Sequence, residues 1–107
     1  MIRSIFLEEH AALCSMARNL VATKIKDYSG EEGCVFSNFS KVEQLGICTT
    51  ETGLLARMAD KFGRMTTYVN SGGQLVGDEK LLDTVLDYIN YLIFLYIQIS
   101  RGIRVNE

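Results

Sequence analysis

The chain of 107 residues is expected to fold as a small all-α antiparallel bundle, three main helices plus one short one, that assembles as a homo-oligomer. Three observations predict this. Proline is absent and alternating β-branched runs are sparse, so nothing interrupts helices and little supports strands. Apolar residues recur at helical spacing in three long segments. The connectors between them are of a length that places successive helices side by side, running up and down.

The first helix is expected from Ser4 to about Asp27. Phe6, Leu13, Met16, Ala17, Leu20 and Ile25 recur at helical spacing, while Glu8, Glu9, Arg18, Lys24 and Lys26 fall mostly elsewhere. The stretch DYSGEEGCVFSNF breaks the pattern with two glycines and a serine. It reads as a loop whose Tyr28, Phe36 and Phe39 are available to pack over something. NFSKVEQLGI then reads as a short helix closed by Gly46.

Thr49 or Thr50 can cap the next helix, with Glu51 well placed in its first turn, where the free backbone amides favour a negative charge. Leu54, Leu55, Met58, Phe62 and Met65 form its core stripe, and NSGG stops it. A second loop, Asn70 to Gly77, follows. Asp78 is expected to cap the final helix, which runs to about Arg101, with Gly102 suited to its stop. Tyr88, Ile89, Leu92, Ile93, Phe94, Leu95, Tyr96, Ile97 and Ile99 cover more of that helix than neighbours in so small a domain could hide. Part of this surface is therefore expected to meet another subunit.

Composition narrows the function classes. At 48% apolar residues a single domain can build a core without disulfides or metal. A net charge of -2 argues against a protein that holds duplex nucleic acid by neutralising phosphates. Cys14, Cys34 and Cys48 are odd in number and far apart, so neither a disulfide framework nor a zinc site is indicated. A reducing cytoplasm is the expected setting. Cys14 reads as a small core hydrophobe and His10 as a surface residue. MIRSIFLEEHAAL is too polar for a signal peptide. Leu81 to Ile99 approaches spanning length, but its two aspartates and one asparagine would be costly in lipid. It reads as a soluble core helix, with no membrane partner.

Two polar stripes carry the chemistry. Arg57, Asp60, Lys61 and Arg64 stand at offsets of three, four and seven, so they share one helix face. Glu79, Asp83, Asp87 and Asn90 do the same on the last helix. Antiparallel neighbours would bring the basic and acidic stripes across one groove. Either the stripes pair and fix helix register, as buried charges need partners, or the groove is a ligand site. In the second case Arg57, Lys61 and Arg64 meet phosphate oxygens. Asp83 and Asp87 then hold a divalent cation or accept hydrogen bonds from sugar or base. Tyr28, Phe36 or Phe39 stacks on the base, and the amide of Asn38 or Asn90 reads its edge.

The succession KDY, FSNFSKVEQLGI, LLARMADKFGRM and VGDEKLLDTVLDYINYLI, from about Lys24 to Ile97, resembles the phage-encoded nucleotide modification associated domain 1 family. That family is similar to MazG-like all-α nucleotide pyrophosphatases. The resemblance implies an oligomeric helical bundle with a nucleotide as ligand. Competent MazG-like enzymes place E-x-x-E on one helix and E-x-x-D on the next, four carboxylates that hold magnesium for attack on a phosphoanhydride. Here those registers fall near Arg57 and Asp60 and near Thr84 and Asp87, so only two of the four acids remain. A magnesium-dependent pyrophosphohydrolase would need Asp60, Glu79, Asp83 and Asp87 as its Mg2+ ligands. An arginine in a ligand position weakens a magnesium site and strengthens direct phosphate binding. The leading expectation is a cytoplasmic, phage-type protein that holds a nucleotide or nucleotide-derived defence signal without turnover. The alternatives are that pyrophosphohydrolase and a helical interaction module with no small-molecule ligand.

Overall fold

The computed structural model describes residues 1–29, 37–73 and 81–102, with the backbone alone for 26–29 and 37. Every regular element among them is helical: α1 (Arg3–Ser29), α2 (Ser37–Gln44), α3 (Thr50–Asn70) and α4 (Leu81–Arg101). The all-α reading holds.

Helix boundaries follow from local chemistry. Gly46 lies at φ 75°, in the left-handed region that lets the chain turn out of α2. The next helix begins four residues later. Thr49, in extended backbone, caps α3 by accepting from the Thr52 amide at 3.2 Å. The neighbouring Thr50 amide donates to the Glu43 carboxylate at 2.9 Å, so a side chain of α2 satisfies an orphan donor at the start of α3. That contact sets the α2–α3 corner. At the other end Ser71 and Gly73 donate their amides to the carbonyls of Thr67 and Tyr68. Gly102, at φ 62°, donates to the Gln98 carbonyl and closes α4. The Asp78 cap expected for α4, and Phe36 and Cys34, lie outside the described residues.

Contacts between α3 and α4 run in reverse order along the two helices. Glu51, in the first turn of α3, accepts from Gln98 near the end of α4 at 3.2 Å. Lys61 and Phe62, farther along α3, meet Asp87 and Tyr88. These two helices therefore run in opposite directions. On its other flank α4 meets α1, through Asn90 on Ala17 and Asp87 on Lys24.

The core centres on Leu54 and Phe94, with Val21, Ile25, Phe39, Tyr91, Leu95 and Ile97 packed around them. The expected core stripes are only half covered. Leu54 and Met58 are buried, whereas Leu55 and Phe62, placed in the same stripe by spacing, are exposed. On α1 Ala17 is buried, but Phe6 and Met16 are open. Cys14 corrects the sequence reading: it is exposed, with its thiol 3.8 Å from His10 Nδ1 one turn away. The reason is placement along α1. The whole of residues 1–12 is exposed, because α4 meets α1 only from its middle onward.

By length and apolar composition α4 is the one described helix that could cross a membrane. Three of its polar side chains, Asp87, Asn90 and Gln98, each bond to α1 or α3.

Candidate functional site

A small cleft of about 80 Å³ opens where all four helices approach one another. Its walls are Val21, Lys24 and Ile25 from α1, Asn38 and Phe39 from α2, Arg57 from α3, and Asp87, Asn90, Tyr91 and Phe94 from α4. Asn38, Phe39, Arg57, Asp87 and Asn90 were expected from the sequence. Asn38 and Phe39, which the sequence places where the loop and the short helix overlap, stand on that helix, α2.

Asp87 organises the cleft. Its Oδ1 accepts from Lys24 at 2.8 Å, and its Oδ2 lies 3.1 Å from the Lys61 ammonium. The carboxylate and Lys61 are nearly covered, at 13% and 14% exposure, while Lys24 keeps 40% and reaches the cleft mouth. Burial pushes the Asp87 carboxyl up. The hydrogen bonds and charges of Lys24 and Lys61 outweigh that and hold it below its ordinary 3.8. It is an anion shared between two cations.

Asn90 has a structural task. Its amide nitrogen donates to the Ala17 carbonyl at 3.0 Å, locking α4 against the middle of α1. A buried amide with a backbone partner is the ordinary solution for a polar side chain in a core. Beside it Phe39 packs its ring 4.6 Å from Phe94 and edge-on to Tyr91 at 6.1 Å. The Arg57 guanidinium sits over the Phe39 ring at 4.9 Å from its centroid, an attraction of cation for aromatic face. Arg57 is exposed, so this contact holds it at the rim with its N–H groups open to solvent on one side.

The remaining expected residues are placed elsewhere. Arg64 turns along its own helix, its Nε 3.2 Å from Asp60 Oδ2. Asp83 is exposed and is not part of the cleft wall. Among the described residues of the two stripes, Lys61 pairs with Asp87 across the helices. Tyr28 belongs to the last turn of α1, but its side chain lies outside the described residues, as does Glu79 altogether. Among the described residues no three acidic, histidine or cysteine side chains gather as metal ligands would.

Lys24 is a charged site residue missing from the sequence reading, as is the aromatic Tyr91. For Lys24 a signal existed: it stands seven residues from Ala17 and four from Leu20, on the face of α1 that turns inward. A lysine on a core-facing stripe requires an acid opposite it.

Counted over Lys24, Arg57, Lys61 and Asp87, the described side chains of the site carry a surplus of positive charge, at the edge of an aromatic platform. Such a surface can take an anion at the rim and a planar group against Phe39 or Tyr91. The cleft itself is far below the 300 Å³ or more that encloses a drug-sized ligand. It has room for a group the size of one phosphoryl, with the rest of a ligand lying outside. No protein-family model matches the chain, and neither a curated protein nor a solved structure matches it.

Proposed function

We propose that the protein binds a phosphorylated nucleotide, or a signal derived from one, at this cleft and holds it without turnover. A phosphate group sits against Lys24 and Arg57, and the base lies across Phe39 and Tyr91 at the rim. The observation that carries the reading is the state of Asp87: with each oxygen taken by a lysine, the carboxylate anchors cations in place of competing for them. Arg57 is held ready by its ring contact and adds a fork of donors suited to phosphate oxygens.

The same geometry favours binding over hydrolysis. Asp87 already has two ammonium partners, and the Asp60 carboxylate is paired with Arg64. Neither is arranged as a magnesium ligand, so a pyrophosphohydrolase would have to rebuild both contacts. Sequestration of a nucleotide signal in the cytoplasm, by a phage-type protein working as a homo-oligomeric antiparallel bundle, is the role in keeping with the family resemblance.

The experiment is a thermal-shift panel of nucleoside mono-, di- and triphosphates and cyclic oligonucleotides, with and without magnesium, followed by mass analysis of each recovered ligand. The proposal expects a rise in melting temperature, no requirement for magnesium and an intact ligand. Pyrophosphate release would select the enzyme. A flat response across the panel would leave only the helix-pairing role of the stripes.

A further inference from the structure

A second cavity, an apolar groove of about 380 Å³, runs between α1 and α4 and shares Val21 and Phe94 with the walls of the first. Along its α4 side Ile89, Ile93 and Ile97 follow at four-residue steps. That is about 12 Å of branched apolar surface at ~1.5 Å per residue. On the α1 side Val21 and Ile25 continue it. Asn90, polar by type, already gives its amide to the Ala17 carbonyl at 3.0 Å. The groove is thus a slot of side chains that offer little but hydrocarbon. Its volume falls within the 300 Å³ or more that encloses a small molecule.

One charge stands on this slot. Arg18 lies three residues before Val21 and seven before Ile25, on the same face of α1, and it is exposed at the groove edge. Its helical neighbours Cys14, Ser15, Val21 and Ala22 include no acid, and among the described residues no acid pairs with it. A guanidinium offers a fork of donors that matches a carboxylate. A cation at one end of a long apolar slot is complementary to an anion at one end of a hydrocarbon chain.

We propose that the α1–α4 groove binds a single-chain amphiphile of medium length, a fatty carboxylate, with its head on Arg18 and its tail along Val21, Ile25, Ile89 and Ile93. A nucleotide does not suit this cavity, because Phe94 is the sole aromatic among its lining residues and Arg18 the sole cation. A partner protein would need ~800 Å² from each side, whereas a slot of this volume is filled by one flexible chain. A bilayer is the other apolar occupant. Helices that lie on bilayers flank their apolar face with several lysines and arginines, and α4 has no charged residue between Asp87 and Arg101. The proposal stands apart from the nucleotide reading and would hold without it.

Titration calorimetry of the full chain with octanoate, decanoate and dodecanoate, each below its micelle concentration, tests this. Saturable binding of one amphiphile per chain is expected, tightening roughly fourfold for each added methylene. Decanol, which has the tail without the charge, should bind wild type roughly tenfold more weakly than decanoate. Arg18→Met should erase that difference by weakening decanoate alone, with the helical circular dichroism kept, because an exposed side chain without an acid partner is not needed for folding. Ile93→Asp, at a half-exposed groove wall, should abolish binding of both. Should that variant lose its helices, Arg18→Met decides. Arg57→Ala, altered in the other cleft, should bind decanoate as wild type does. An absence of saturable binding, equal affinity for decanoate and decanol, an unchanged Arg18→Met, or a chain that joins phosphatidylcholine vesicles and ignores monomeric decanoate would each overturn the proposal.

Discussion

The ammonium of Lys61 lies 3.1 Å from Oδ2 of Asp87, joining α3 to α4 through two side chains that are both nearly covered. Lys24 of α1 takes the other oxygen at 2.8 Å, so one carboxylate ties three helices together. Removing it strands two cations. Asp87→Asn is expected to cost ~1–3 kcal/mol, less than a fully buried pair because Lys24 is partly solvated. Urea unfolding, with the midpoint falling at unchanged slope, checks this.

Acid should erase that difference. The folded carboxyl titrates below the ordinary 3.8, so the native state is stabilised by the ionised form. This contribution is fully present above about pH 4 and is lost as pH falls through the folded value. Wild type and Asp87→Asn should therefore differ by a constant amount from neutral pH down to roughly pH 5 and converge below 3.8. A gap that persists into strong acid would show that geometry, and not charge, sets the cost.

Two glycines of α3 should respond with opposite signs. A methyl at Gly63 meets nothing within 4 Å, so Gly63→Ala should stabilise by ~0.5–1 kcal/mol through helix propensity. At Gly53 it would come within 2.9 Å of the Val42 side chain, where α2 crosses. Valine is stiff, and overpacking of ~1–3 kcal/mol outweighs the propensity gain. Gly53→Ala should lower the melting temperature, and adding Val42→Ala should recover part of the loss.

Lys24 separates ligand binding from folding. Lys24→Met leaves Asp87 with Lys61, and a 40% exposed partner contributes at most ~1 kcal/mol to stability. A phosphate that loses a charge-assisted donor loses more, ~1.5–3 kcal/mol, or roughly tenfold to a hundredfold in affinity. Paired titration calorimetry and thermal melts should show that split. Equal losses in both would assign Lys24 to the fold alone.

Much of this architecture is legible in the sequence. Gly46 and Gly102 stop helices where spacing ends, and Thr49 caps α3, because these choices are made by a few adjacent atoms. The site is only partly legible. Periodicity places Arg57, Lys61 and Arg64 on one face but cannot say that Arg64 reaches back to Asp60 while Lys61 reaches across. It likewise cannot separate Asp83, exposed, from Asp87, one turn on and nearly covered. That choice depends on how far α1 extends along α4. The short helix read from NFSKVEQLGI is α2, and Phe39, which the sequence places where the loop and that helix overlap, falls within it.

In the proposed binding mode the cleft takes the phosphate of a nucleotide through Arg57. Titration calorimetry of wild type and Arg57→Ala against the nucleotide that gives the largest thermal shift tests it most directly. The wild type should bind saturably and Arg57→Ala at least roughly tenfold more weakly, with melting changed little, since the ring contact of an exposed cation contributes about 1 kcal/mol or less. Equal affinity in the two proteins, or no saturable binding by the wild type, would contradict it.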